Sequence, residues 1–427
     1  MLSKLSCIGV ALTGGRDADV GIGGFLTGGG NAYLTARTGF GCDTVVNFEV
    51  VLANGTIVNA NKTANADLWR ALKGGWANFG VVTRFDIETT AAPEFTNENE
   101  DNPEAARLVL RTYNTVTPQG IGMITVMVDT KNLENAPVFN DIRAIPSTVA
   151  TSQHTTLGQL AQNGIDPSDD RVHWFTLTFN NDIAILKKAM ALHDALAADL
   201  KTTLGPAAFS TQCVLQPIPS FFGTIGARKG GNMLGLDAVK TNSILWLGTV
   251  AYKDPDHDKV AHKKLEKSFR ELEKFAKSRN GNVEWLYINY ADKTQNPLKS
   301  YGKANLDFMK NVAGTYDPKG VFRSRCLGAL SSQRYNRDTD GWERRGGSRR
   351  DFLFSTIVLI AGRYLAKPWG PMAFSYPRSA RKYISSASCI LPWSGVKETR
   401  LKKAQSRPSS PSWIVAQVII ACDKSRL

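Results

Sequence analysis

Gly14-Gly-Arg-Asp-Ala-Asp-Val-Gly-Ile-Gly-Gly-Phe-Leu-Thr-Gly-Gly-Gly30 is the stretch on which the reading of this chain turns. Arg37-Thr-Gly-Phe-Gly-Cys-Asp43 follows, then an apolar run over residues 45–52, a turn at Ala53-Asn54-Gly55, and Thr56-Ile57-Val58. Valine- and isoleucine-rich runs bounded by Asn-Gly and Gly-Gly predict strands and a hairpin. Residues 67–72 (Asp-Leu-Trp-Arg-Ala-Leu) predict a short helix with Asn65 or Asp67 as its cap. Lys73-Gly74-Gly75 then leads into Asn78-Phe-Gly-Val-Val-Thr-Arg-Phe85.

The glycines remove side chains where a backbone turns tightly or approaches something closely. Consecutive free N–H groups in such a loop can face an anion. Gly21 and Gly23 do not open a dinucleotide fingerprint, because the third glycine position is Leu26, and no phosphate-loop motif exists elsewhere. Read from the residues alone, tight turns in a β-rich domain stand ahead of a phosphate cradle.

The order of motifs is more specific than the glycines. Val20-Gly-Ile-Gly-Gly24, Gly28-Gly-Gly30, Gly39-Phe-Gly-Cys-Asp43, Asp67-Leu-Trp-Arg-Ala-Leu-Lys-Gly-Gly75 and Asn78-Phe-Gly-Val-Val-Thr-Arg84 together resemble the second half of a flavin-binding domain. That domain is the PCMH-type domain of the vanillyl-alcohol oxidase / p-cresol methylhydroxylase superfamily, and the nearest resemblance is to the berberine bridge enzyme-like branch found in fungi. Tyr287-Ile-Asn-Tyr-Ala-Asp292 and Tyr316-Asp-Pro-Lys-Gly-Val-Phe322 resemble the C-terminal element of that branch, which returns to the flavin domain.

The resemblance implies an α+β fold: a flavin-binding region from residues 1–92 joined by 286–322, and an α+β substrate domain with an antiparallel sheet over 93–285. It implies FAD as cofactor, a small organic alcohol, sugar or alkaloid-like substrate, hydride transfer to flavin N5, and molecular oxygen as acceptor, in the setting of fungal secondary metabolism. It also implies flavin contacts at Gly21, Gly24, Gly28, Gly29, Gly30, Gly80, Val82 and Asn289, with Tyr287 and Tyr290 as the catalytic residues. The family's flavin-linking cysteine falls on Asp17, so no cysteinyl linkage is expected. The family's earlier half-domain, with its pyrophosphate-wrapping loop, is not carried by the residues before Gly14.

The bounds are consistent with an enzyme of ordinary composition. A chain of 427 residues holds two domains and a large core. Six scattered cysteines signal neither zinc nor a disulfide framework. His154, His173, His193, His257 and His262 show no ligand spacing, so no metal is expected; His257 and His262 read as a solvated helix face and His173 as a structural strand residue. The first twelve residues read as part of a domain rather than a leader, since their apolar run is interrupted.

Further along, residues 102–116 predict a short amphipathic helix and 121–128 a strand. Residues 141–149 resemble a strand–turn element of the family. Residues 172–179, 213–215 and 243–252 predict strands, 182–200 and 258–278 helices, and 216–220 a Pro-rich loop. Residues 283–291 read as a strand with Tyr287, Asn289 and Ala291 on one face.

The formal charge of +14 sits entirely in residues 323–427, which carry 20 Lys and Arg against 6 Asp and Glu; the preceding part balances 32 against 32. Apolar runs there are far shorter than the ~20 residues of a membrane span. Three readings of this basic, Arg/Ser-rich tail stand open: an anion-binding segment, an extra ordered domain, or sequence without a selected fold. The loss of periodicity favours the last, and an irregular, disordered tail with no specific nucleic-acid role is expected. Beside the oxidoreductase reading stand a non-catalytic remnant and a basic binding module acting through the tail.

Overall fold

A computed structural model describes residues 10–91, 105–114, 120–131, 133, 135–163, 170–325 and the strand at 414–422. The first layer is small. Strand β1 (Val10–Ala11) pairs with β5 (Thr90–Ala91), bringing the two ends of the motif-rich region together. Strands β2 (Val45–Val51), β3 (Ile57–Asn61) and β4 (Val81–Ile87) form an antiparallel sheet in the order β3-β2-β4. The hairpin between β2 and β3 turns through Gly55, whose φ of 84° suits glycine. Gly80 sits just before β4, and a Cβ there would lie 2.4 Å from Val50 Cγ1 and 2.9 Å from the Val51 carbonyl oxygen. A side chain at 80 would therefore push β4 off β2.

Two short helices complete this layer: α1 (Ile22–Thr27) and α2 (Ala66–Leu72). Asn65 caps α2 in the left-handed region at φ 49°, and α2 buries Leu68, Trp69, Ala71 and Leu72. Phe25 and Leu26 of α1 enter the same core.

The second layer is an eight-stranded antiparallel sheet in the order β12-β9-β11-β10-β6-β7-β13-β8. Its strands are β6 (Ala105–Tyr113), β7 (Ile121–Asp129), β8 (Val149–Thr155), β9 (Arg171–Asn180), β10 (Phe209–Ile218), β11 (Ser243–Tyr252), β12 (Asn282–Val283) and β13 (Ile414–Cys422). Side chains alternate across it. Phe175, Leu177 and Phe179 of β9, Cys213 and Leu215 of β10, and Trp246 of β11 face two long helices, α3 (Ile183–Leu204) and α4 (Asp258–Ser278). Val214, Leu247 and Trp174 take the opposite face, toward the first layer. A last helix, α5 (Lys303–Tyr316), packs on α2. Among the described residues, no helix is long and apolar enough to cross a membrane.

The α+β class with antiparallel sheets is the one expected, and several elements differ from expectation. Where a helix is expected over 102–116, Ala105–Tyr113 form β6, between β7 and β10. Its apolar residues divide with period two: Ala106, Leu108 and Leu110 face one core, and Val109 and Tyr113 the other. A strand buried on both faces carries apolar residues without clear alternation, and those residues also satisfy a helical stripe. In 141–149 the chain makes a short helix at Asn140–Arg143, and the strand begins only at Val149. Gln216 and Pro217 belong to β10 rather than to a loop, paired with Leu245 and Ile244. In the tail, expected to be irregular, Ile414–Cys422 forms strand β13 between β7 and β8; the other residues of 323–427, apart from 323–325, lie outside the described ones.

Helix α3 is fastened to the sheet by charge as well as by its apolar face. Arg111 Nε and Nη2 of β6 donate to the two Asp194 carboxylate oxygens at 2.5 and 2.6 Å. Burial raises the Asp194 pKa, but hydrogen bonds from His193 and Arg111 outweigh it and lower the value from 3.8 to about 2. A carboxyl group with a depressed folded-state pKa adds stability above its unfolded value and loses it on acidification. Thermal unfolding followed from pH 5 to pH 2 will therefore show a loss of stability between about pH 4 and pH 2 that is smaller in Asp194→Asn.

Candidate active site

The glycine loop after α1 is closed by a residue more than 250 positions away. Tyr287 Oη accepts hydrogen bonds from the backbone N–H of Gly30 at 2.9 Å and of Asn31 at 2.8 Å. Asn289 Nδ2 donates to the same oxygen at 2.9 Å and to the Phe25 carbonyl at 3.2 Å. The remaining loop donors are also used within the chain: the Gly28 N–H reaches Gly24 O and the Gly29 N–H reaches Leu26 O. The turn reading of the loop is thus the one that the hydrogen bonds follow.

The return segment is not a strand. Ile288–Tyr290 form a single 3-10 turn, with the Tyr290 N–H donating to the Tyr287 carbonyl at 2.9 Å. This sends Tyr287 and Asn289 inward and turns Tyr290 toward the large sheet, where its ring meets Trp174 at 5.5 Å. Tyr287 and Tyr290 lie edge to face at 4.8 Å.

Around the Tyr290 hydroxyl a polar cluster gathers from distant segments. Arg16 Nη2 donates to Tyr290 Oη at 2.6 Å and also to Gln216 Oε1. Asn31 Nδ2 donates to Gln216 Oε1 at 3.3 Å, and the Tyr290 hydroxyl approaches that oxygen at 3.4 Å. The Arg16 guanidinium also lies 6.0 Å from the Tyr33 ring. Burial raises the Tyr33 pKa, with Arg16 pulling the other way. Gln216 faces this cluster because it shares parity with Val214 along β10.

The expected site residues are therefore placed as follows. Tyr287, Asn289 and Gly28–Gly30 come together; a Cβ on Gly28 would lie 2.0 Å from Asn289 Oδ1, and one on Gly29 3.2 Å from the Tyr287 ring. Tyr287 is fully enclosed, and burial is the main cause raising its pKa. Tyr290 is half-buried on the open side of that junction. Gly80 lies against β2, away from it, and Val82 packs on the core of the small sheet. Gly21 and Gly24, with Gly23, stand apart from the rest: nothing lies within 4 Å of where their Cβ atoms would be.

Sequence reading missed Arg16 and Gln216, whose partners lie 74 to 274 residues away in the chain. It also missed the ion pair inside the motifs. Asp43 and Lys73 are both fully buried, 3.8 Å apart, and Asn232 Nδ2 donates to Asp43 at 2.8 Å. Lys73 Nζ lies 4.2 Å from the Trp69 ring centroid and donates to the Lys229 carbonyl. Burial raises the Asp43 pKa against the pull of Lys73, and lowers that of Lys73. The pair thus ties the small layer to the segment between β10 and β11.

Removing the Tyr287 oxygen leaves two buried backbone N–H groups without their acceptor, at about 1–3 kcal/mol each. Tyr287→Phe will lower the urea-unfolding free energy of the chain by at least that of one such group, while Tyr290→Phe, at a half-exposed hydroxyl, will change it far less.

No protein-family profile matches the chain. It is 32% identical over 348 residues to the FAD-dependent monooxygenase drtC of Aspergillus calidoustus, covering 75% of this chain and 65% of that protein. It is 30% identical over 349 residues to the FAD-dependent monooxygenase sdcF of Emericella nidulans, covering 76% of this chain and 73% of that protein. The chain therefore spans about two thirds of the length of these relatives. Its fold is shared with 6-hydroxy-D-nicotine oxidase from Arthrobacter nicotinovorans, at TM-score 0.58 and 16% identity over 75% of this chain and 74% of that one. It is also shared with a variant of the Physcomitrella patens BBE-like 1 protein, at TM-score 0.55 and 15% identity over 75% and 72%. The glycine loop, the returning Tyr-Ile-Asn-Tyr turn and these relatives agree: the chain belongs to the family of these fungal FAD-dependent monooxygenases, and its fold is that of 6-hydroxy-D-nicotine oxidase and the BBE-like 1 protein.

Proposed function

We propose that this chain carries the substrate-facing part of an FAD-dependent oxidoreductase acting on a small organic alcohol, sugar or alkaloid-like molecule, with molecular oxygen as the second substrate. The observation that carries the reading is the Tyr287 junction, which sets Tyr290, Arg16 and Gln216 on the floor between the two layers. The names of the two relatives, both FAD-dependent monooxygenases, support FAD and a reaction with oxygen.

The residues fit a flat ring system in one specific respect. At Gly21, Gly23 and Gly24 nothing beyond the adjacent residues and the helix's own backbone lies within 4 Å of the Cβ position. We assign flavin contact to that face. Gly28–Gly30 and Asn289 then act indirectly, as the turn that holds α1 and Tyr290 in place. When bound, the flavin supplies the redox step, taking a hydride from substrate at N5.

The chain's own residues handle position and protons. Tyr290 Oη is the group placed to exchange a proton with a substrate hydroxyl or amine, since Tyr287 is enclosed. Arg16 holds a positive charge 2.6 Å from that oxygen as the proton moves. Gln216 Oε1, nearly buried on β10, fixes the guanidinium in direction. Trp174 offers an aromatic wall beside Tyr290 for an apolar or sugar ring.

Purified chain mixed with FAD and freed of excess by gel filtration will keep the visible flavin bands, and Gly24→Leu will lose them without loss of thermal stability. Absence of bound flavin in the unaltered chain would defeat the reading and leave a non-catalytic member of the family. With a substrate found by oxygen consumption across alcohols, sugars and amines, Tyr290→Phe will lower kcat by about 10²–10⁴-fold while flavin is retained.

A further inference from the structure

On the helix-covered side of the large sheet, away from Tyr290, a second cluster of side chains has no part in the proposed chemistry. His173 of β9, His262 of α4 and Asp292, just after the 3-10 turn, direct two ring nitrogens and a carboxylate oxygen to within 4.8 Å of one another. His262 Nε2 lies 3.2 Å from Asp292 Oδ1. Asp258 Oδ1, outside that group of three, lies 3.4 Å from His173 Nε2. Asp258 and His262 are four residues apart on α4, so one helix face presents both.

We propose that His173, His262 and Asp292 form a binding site for a divalent transition-metal cation of the zinc type. Neighbouring ligand atoms around a tetrahedral zinc are about 3.3 Å apart, given bonds of about 2.0–2.1 Å. The His262–Asp292 contact already has that spacing. All three ligand atoms lie within 4.8 Å of one another, and both histidines are at the rim, with 15% and 18% of their side chains exposed. Two imidazoles with a carboxylate are the donor set that suits zinc and its neighbours rather than magnesium or calcium.

The supporting shell is also built. Asp292 Oδ1 is fixed by the Thr294 N–H and hydroxyl, each at 2.8 Å. The Tyr252 hydroxyl lies 2.8 Å from His173 Nε2 and donates to Asp258 Oδ1 at 2.5 Å, and the Asp258 carbonyl lies 3.0 Å from the same nitrogen, so the ring is held through Nε2 and Nδ1 is the nitrogen left to ligate. A bound cation would join β9, the first turns of α4 and the segment two residues beyond Tyr290. Its role is to hold that segment in register, not to take part in the redox step.

The test uses the full chain stripped with a chelator and titrated with Zn²⁺ by calorimetry, and with Co²⁺ by visible absorption. One equivalent of Zn²⁺ will bind and raise the thermal midpoint, and Co²⁺ will give the intense d–d bands of a four-coordinate site. His262→Gln and, separately, His173→Gln will abolish both signals, and Tyr252→Phe will weaken binding by about 10–100-fold. His257→Ala, one turn away on the same surface, will leave them unchanged. Circular dichroism of each variant before metal addition confirms that it is folded, and Asp292→Asn gives an independent variant if a histidine change unfolds the chain. Failure to bind one equivalent, or binding that survives both histidine substitutions, overturns the proposal. The readout is independent of flavin, so loss of FAD binding leaves it standing.

Discussion

The junction between the glycine loop and the returning segment hangs on one buried phenol oxygen. The Tyr287 hydroxyl is the common acceptor for two consecutive backbone N–H groups and one side-chain amide. Loop donors at Gly30 and Asn31 are buried, so they must find a partner inside the protein. No neighbour in sequence supplies one. The chain meets the demand from a segment more than 250 residues downstream, packed by Trp285 stacking on Tyr287 at 5.7 Å and by Phe40 at 6.1 Å. Closing so long a loop is entropically costly, though the cost grows only slowly with length. The aromatic box and the three hydrogen bonds together offset it. A phenylalanine would fill the box equally well and would leave the donors unmet, so the hydroxyl, rather than the ring, specifies the junction.

The large sheet extends that constraint to the site. One face is committed to α3 and α4 through continuous apolar rows, which fixes the register of β9, β10 and β11. A slip by one residue would carry Cys213 and Leu215 to the polar side and draw Gln216 under the helices. Register therefore decides that Gln216 meets Arg16 and Asn31. Geometry at the site is inherited from apolar packing on the far side of the sheet. The same logic makes the buried Asp43–Lys73 pair understandable: it adds little net stability of its own, yet it fixes how the small layer meets Lys229 and Asn232.

How much of this could be read from sequence depended on the range of the interaction. Helix α4 was legible to its ends, because its charged and apolar residues follow one local period. The strand β11 was legible as a short continuous apolar run, buried on both faces. β6 was not: it packs against apolar residues on both faces while remaining half-buried, so its apolar residues fit a helical stripe as well as an alternation, and only its pairing with β7 and β10 decides between them. The turn at Ile288–Tyr290 was read as a strand because Tyr-Ile-Asn-Tyr is rich in β-formers; the demand of the distant Gly30 and Asn31 donors bends it instead. That Asn289 lies beside Gly28 followed from resemblance and from no property of the residues themselves. Arg16 and Gln216 carry no local signal, since their meaning exists only across the fold. His262 read as a solvated residue among lysines, and its inward face is visible only once Asp292 is folded against it.

The glycines of the opening stretch show where local reading reaches its limit. By sequence they are one group. In the fold they separate into two kinds. At Gly28, Gly29, Gly30 and Gly80 a Cβ would strike another part of the chain, so packing alone accounts for them. At Gly21, Gly23 and Gly24 nothing is in the way. Gly23 and Gly24 lie within a helix of six residues, where each glycine costs about 1 kcal/mol relative to alanine. Alanine would fit there, would strengthen a helix too short to hold itself, and would disturb no contact within the chain. Packing therefore gives no reason for these glycines. A broad, flat ligand is the kind of object that a side chain at those positions would exclude, which is why the proposed flavin contact is assigned to the open face rather than to the filled loop.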